Sequence, residues 1–270
     1  MGSVLGLFSY SFMRNAFSAI FAIGPMFGLI STMIVNNRMA FFSDALGHCA
    51  LTGIALGTLI GIQNPTFSIL IFALIFAFCI SNIIELDIIP EDSIIGVFSS
   101  VGLAVGTIVI SFKNNFSRYS EFLIGNLISI RENEVKLVFF VFIAVLIFWF
   151  LFFNKLMLSS FNRDLSVSKQ LKYKFYKNIF VIMISLTVAV TIRLIGILMV
   201  NSLLTLPAAA SKNISKNLRD YHIFSVVFSL SSGILGLIVS FYLGVSASAS
   251  IILILSLIFF ITLLVFRNNQ

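Results

Sequence analysis

Charge is what this 270-residue chain has least of. Asp, Glu, Lys and Arg together make up 10% of it, against roughly a quarter in an ordinary soluble domain. Apolar residues make up 59%, and the mean hydropathy is +1.10. Such a chain cannot clothe a globule in polar surface, so a water-soluble fold is excluded. Cysteine is scarce too. Cys49 and Cys79 each sit in apolar sequence, which excludes a disulfide framework and any paired-thiol metal motif. No Gly-x-x-x-x-Gly-Lys-Ser/Thr loop occurs, so ATP hydrolysis by that route is excluded. His-Glu-x-x-His is also missing, and no Ser–His–Asp order can be defended within the apolar runs. The 17 basic residues against 10 acidic ones give a net charge of +7. With no soluble basic face to carry it, nucleic acid is not the partner; basic loops that fix orientation in a bilayer account for the excess.

What is present is long runs of apolar residues. A helix needs about 20 of them to cross roughly 30 Å of hydrocarbon. Ala16–Val35, Thr66–Ile84, Ser93–Phe112 and Leu137–Phe153 meet or nearly meet that length without a charge. From Tyr221 to Phe266 no charged residue appears, and Leu243-Gly244-Val245-Ser246 divides that run into two spans. The runs are continuous rather than alternating, so helices are expected and a β-barrel is not. The fold class predicted is all-α: a polytopic membrane protein of eight or nine transmembrane helices, a single domain over residues 1–270. Arg14 interrupts the N-terminal segment, and no cleavable signal peptide is expected.

The segment Ile179–Ala210 decides between eight and nine. It is too long for one upright helix, and Gly196, after Arg193, is a natural break. With one crossing, nine Lys and Arg fall inside and seven outside; with two, the split is eleven to five. The positive-inside rule favours nine crossings, with the N-terminus outside and the second of the two short or partly re-entrant. The acidic residues Glu85, Asp87, Glu91 and Asp92 then lie in a solvated inside loop. Arg193 needs a carbonyl, an acid or water beside it. Gly24, Gly28, Gly53, Gly57, Gly61, Gly102 and Gly106 fall at helical spacing, as close packing of membrane helices requires.

One stretch carries chemistry. In Asp44-Ala45-Leu46-Gly47-His48-Cys49-Ala50-Leu51-Thr52-Gly53, Asp44 and His48 are four residues apart and share a helix face. A carboxylate and an imidazole suit Zn, Mn or Fe(II) and are too hard for Cu(I). Two donors do not complete a Zn sphere, but two copies of the pair would supply four. The same spacing also fits an Asp–His hydrogen bond at a helix start, with Asp44 as its N-cap. Cys49 points elsewhere on the helix.

That stretch resembles the Asp-x-Leu-x-His-Ala-x-Leu-x-Gly signature of the zinc-, manganese- and iron-importing ABC permeases. Further matches follow in family order. Glu91-Asp92-Ser93-Ile94-Ile95-Gly96-Val97 resembles Glu-Asp-Thr-x-Ile-Gly-Ile, and Leu123-Ile124-Gly125-Asn126-Leu127 resembles Leu-Phe-Gly-Asp-Leu. The run Arg193–Ala210 resembles the family's Val-Gly-x-Leu-Leu…Leu-Leu-x-x-Pro-Ala-Ala segment. Gly47, Cys49 and Asn126 depart from the usual residues, and Phe161-Asn162-Arg163-Asp164-Leu165 keeps only part of a Phe-Asp-Pro-like element.

The resemblance implies a type II-like permease subunit of an importer, lodged in the bacterial cytoplasmic membrane. Asp44 and His48 would contribute to the metal path. Residues 207–220 would form the ATPase-coupling segment, ending a span in a short cytoplasmic helix, with Pro207, Ala208, Ser211, Lys212 and Lys216 as contact residues. The partners implied are a second copy of the chain, a cytoplasmic ATP-binding subunit and an extracytoplasmic metal-binding protein. No cofactor is expected beyond the transported ion, for which zinc is favoured ahead of manganese and iron. The competing readings are a membrane-embedded metalloenzyme and an ATPase-independent secondary transporter. The first needs more ligands than are visible, and the second should show inverted repeats.

Overall fold

The computed structural model describes residues 9–37, 39–62, 64–84, 89–113, 125–161 and 173–267. With no water to satisfy main-chain polar groups in hydrocarbon, each apolar run closes its own hydrogen bonds as a helix. Nine long helices result among the described residues, with no strand. They are α1 (Ser11–Asn36), α2 (Ala40–Ile60), α3 (Pro65–Ile84), α4 (Glu91–Lys113), α5 (Glu132–Phe161), α6 (Tyr173–Ile195), α7 (Ile197–Ile214), α8 (Leu218–Leu243) and α9 (Ala247–Arg267). Seven are long and apolar enough to cross a membrane; α4 holds a shorter apolar stretch, Ser93–Val109, and α7 is more polar.

Gly196 separates α6 from α7. Its φ of 83° and ψ of 159° lie where a side chain is strained, so glycine is what allows the chain to turn there. The two helices then run in opposite senses, as side-chain contacts at their ends show. The start of α6 meets the end of α3, where the Ser81 hydroxyl donates to the Asn178 amide oxygen. It also meets the start of α4, where Lys177 Nζ lies 2.6 Å from Glu91 Oε1. The end of α7 lies at the same end of the bundle: Asn213 Nδ2 donates to Thr262 Oγ1 at 3.1 Å, and Ser211 Oγ to the Tyr221 carbonyl at 2.6 Å. At the opposite end, Arg193 reaches Glu134 at 3.7 Å, and Ser248 Oγ donates to the Ile195 carbonyl at 3.1 Å. All nine helices therefore alternate in direction, as the nine-crossing reading requires.

Helix α7 is the hub, packed by α1, α8 and α9 and touching α2 and α6. A second group joins α2 to α3 and α4, while α5 lies along α1 and α6. Glycines set the closest approaches. A Cβ on Gly28 would lie 2.7 Å from Val226 Cα, so only a bare backbone lets α1 reach α8 there. Ser225 Oγ caps the same crossing, donating to the Gly28 carbonyl at 2.7 Å and lying 2.9 Å from Ser31 Oγ. The spacing argument does not extend to Gly61. It is the left-handed cap that ends α2, and nothing lies within 4 Å of its Cβ position.

Candidate metal path and coupling segment

Asp44 and His48 lie in the first half of α2, which starts at Ala40 with Met39 as the N-cap residue. Asp44 is thus inside the helix, and the N-cap alternative is wrong: the N-cap position falls five residues earlier, at Met39. One turn apart, His48 Nε2 comes within 3.5 Å of Asp44 Oδ2. The pair is open to the outside of the single chain, with the His48 side chain 27% and the Asp44 side chain 48% exposed. Phe41, one turn earlier on the same helix, is also exposed. Among the described residues, His48 is the only ion-pair partner of Asp44, so no Lys or Arg neutralises the carboxylate. His48 Nδ1 is buried and has no hydrogen-bond partner.

The residue that sequence reasoning passed over is Asn201. It lies on α7 and donates from Nδ2 to Asp44 Oδ1 at 2.8 Å, while its own Oδ1 is buried without a partner. A signal was available, since an amide in an otherwise apolar stretch of a span is costly unless it has a task. Gly47, which departs from the resembled signature, also finds its reason here. A Cβ at that position would meet Ile197 Cγ2 at 2.5 Å, so the missing side chain makes room for the first residue of α7. Cys49 faces away from the pair, buried against Gly102 of α4. Among the described residues no group of three or more His, Cys, Asp and Glu assembles anywhere. Within one chain, the pair offers two donors.

At the opposite end of α7, Pro207, Ala208 and Ser211 are buried, while Lys212 and Lys216 are exposed. No separate short helix forms in residues 207–220. Instead α7 runs on to Ile214, Ser215–Asn217 turn the chain, and α8 begins at Leu218. Asn217 caps α8, its Oδ1 accepting from the Asp220 N–H at 2.8 Å. Continuation of α7 is favoured by Ala208, Ala209 and Ala210, the best helix formers. Lys212, Ser215, Lys216, Asn217 and Leu218 line a cleft of about 410 Å³ with Asn36 and Tyr221. The five sequence-predicted coupling residues therefore stand together, three inside the bundle and two at its surface.

The other family-like elements are structural. Gly125 (φ 71°) lies against the Ile195–Gly196 backbone, and the Asn126 N–H donates to the Leu194 carbonyl at 3.2 Å, bracing the α6–α7 break. Arg193 finds the acid it needed in Glu134, and also donates to Thr66 Oγ1 at 3.3 Å. Glu91 pairs with Lys177; Glu85 and Asp87 lie outside the described residues, as do Leu123, Ile124 and Asn162–Leu165.

Nine alternating helices, seven of them long and apolar enough to cross a membrane, describe a multi-pass membrane protein. The chain belongs to the ABC 3 transport family, which it matches over residues 9–266. It is 29% identical over 259 residues to the manganese import system permease protein ScaB of Streptococcus gordonii, covering 96% of this chain and 93% of that one. It is 27% identical over 237 residues to the high-affinity zinc uptake system membrane protein ZnuB of Buchnera aphidicola, covering 87% of this chain and 90% of that one. Among solved structures it resembles a chain of PsaBC from Streptococcus pneumoniae in complex with Fab, with a TM-score of 0.83 and 26% identity. That likeness covers 96% of this chain and 94% of the other. The protein is accordingly an ABC transporter permease of the inner membrane, a transport component and not an enzyme, and it works with ABC transporter partners.

Proposed function

We propose that this permease admits a divalent transition-metal ion to the cytoplasm, using Asp44 and His48 from each of two copies as a transient site. The observation that carries the reading is the half-built coordination sphere. A carboxylate with no Lys or Arg paired to it among the described residues and an imidazole whose Nε2 lies 3.5 Å away stand one turn apart on an open face. A second copy bringing the same pair would raise the donors to four, enough to strip water from an ion yet few enough to let it leave. An imidazole ligates only when neutral, so acidification opposes loading. The relatives are named for manganese and for zinc. The donors accept both ions, and the affinity order favours zinc.

Energy comes from a separate ATP-binding subunit seated against the 207–220 segment, and an extracytoplasmic binding protein delivers the ion at the Arg193 end. The test is elemental analysis of importer-deficient cells expressing the chain with its ATPase and binding protein. Wild type is expected to restore manganese or zinc, which names the ion. Asp44→Asn/His48→Ala at equal abundance is expected not to. Equal restoration by both would remove the pair from the path, and restoration of neither ion would remove the metal.

A further inference from the structure

The contact between Asn201 and Asp44 joins the candidate ion site to the helix that ends at the coupling segment. We propose that Asn201 is a state-dependent partner of the site, clamping Asp44 when it is empty and turning its amide oxygen to the ion when it is loaded. This rests on the reading of Asp44 and His48 as ion donors.

Asn201 Nδ2 donates to Asp44 Oδ1 at 2.8 Å, which holds one carboxylate oxygen and leaves Oδ2 facing His48. The other half of the amide is left wanting: Oδ1 is buried and has no hydrogen-bond partner among the described residues. A buried acceptor without a partner is costly, and native structures rarely keep one without a use. A half-turn of the amide would place that oxygen where Nδ2 now sits, against Asp44 Oδ1. Two oxygens repel there unless a cation lies between them. The empty and loaded sites therefore favour opposite amide orientations, and the ion gains a hard oxygen donor of the kind carboxylate-bound divalent ions accept.

Position makes this contact consequential. Asn201 follows the glycine-only break at Gly196 by about one turn, and Lys212 lies eleven residues further along the same helix. At 1.5 Å per residue, the Asn201–Asp44 contact and the exposed Lys212 are separated by about 16 Å of one helix. Asp44 belongs to a different helix, α2, which runs antiparallel to α7 along this contact: Gly47 faces Ile197 and Asp44 faces Asn201. Movement of the cytoplasmic end of α7 about Gly196 shifts Asn201 along Asp44, so ATP-driven movement and ion release share one contact.

The test uses the full transporter, permease with ATPase and binding protein, in proteoliposomes, comparing Asn201→Leu, Asn201→Asp and Asp44→Asn with wild type. KM and kcat for manganese uptake, and ATP consumed per ion, are the readouts. Asn201→Leu is expected to raise KM about tenfold or more and to raise ATP consumed per ion. Asn201→Asp places a second carboxylate beside the first, so KM is expected to fall and kcat to fall with it, because the ion leaves slowly. A merely structural asparagine would not lower KM when replaced by its isostere. The proposal is overturned if Asn201→Asp keeps the wild-type KM, or Asn201→Leu the wild-type KM and coupling ratio, while Asp44→Asn abolishes uptake. If Asp44→Asn transports as wild type, the ion-site reading falls first and this proposal with it.

Discussion

The crossing of α1 and α8 at Gly28 offers a perturbation whose size can be worked from distances. In Gly28→Ala, the new methyl would lie 2.7 Å from Val226 Cα and 3.1 Å from both Ser225 O and Val226 N. Carbon contacts are comfortable near 3.5–4.0 Å, and all three neighbours are backbone, which cannot rotate away. The helices must part by about 1 Å. That strain costs about 1–3 kcal/mol. Separation also stretches the Ser225–Gly28 hydrogen bond at 2.7 Å and the Ser31–Ser225 contact at 2.9 Å, adding about 0.6 kcal/mol for each bond lost in a membrane. The control is Gly96→Ala on α4, where nothing lies within 4 Å of the added carbon; it is expected to be neutral or slightly stabilising, since alanine is the better helix former. The assay is retention of the monodisperse peak after heating in detergent. Gly28→Ala should lose it at clearly lower temperature than wild type, and Gly96→Ala should not. Equal midpoints for the two variants would refute the claim that bare backbone at Gly28 sets the packing.

Three further outcomes follow from the same geometry. Gly196→Ala forces a side chain into torsions open to glycine, and is expected to lose about 1–3 kcal/mol of stability in the same assay; wild-type stability would mean the break tolerates a side chain. Lys177→Met should destabilise more than Lys136→Met, because Lys177 is 13% exposed in its pair with Glu91 whereas Lys136 is 70% exposed in its pair with Glu132. Surface pairs contribute about 0–1 kcal/mol, and partly buried ones more when broken; equal losses would contradict the burial argument. In a chain freed of Cys49 and Cys79, an impermeant maleimide should label Ser246→Cys in intact cells and Lys216→Cys only after permeabilisation. The reverse pattern would invert the orientation assigned by the charge count.

Much of this architecture could be read before any coordinates. Apolar run length located the spans, Gly244 marked the turn between α8 and α9, and Lys and Arg distribution favoured nine segments over eight, in line with nine long helices among the described residues. The pair Asp44–His48 was legible because two donors four residues apart need only one helix to meet. Asn201 was not, because its partner lies 157 residues away on another helix, and no local spacing encodes that approach. The N-cap alternative for Asp44 failed for a related reason. Ala40, Phe41 and Phe42 carry no capping signal, and the chain enters the helix through Met39 without a side-chain cap. The short separate helix expected within 207–220 does not form, since the alanine run carries α7 to Ile214. Gly61 shows the limit of spacing arguments. It continues the periodicity of Gly53 and Gly57, yet it ends the helix instead of packing against a neighbour.

The central claim is that two copies of one half-site make the ion's resting place. Manganese titrated into the purified permease–ATPase complex without nucleotide, followed by the paramagnetic resonance signal of the free ion, counts the bound ions directly. The account predicts saturation at one ion per two permease chains, lost in Asp44→Asn and in His48→Ala. One ion per chain, or undiminished binding in both variants, would contradict it.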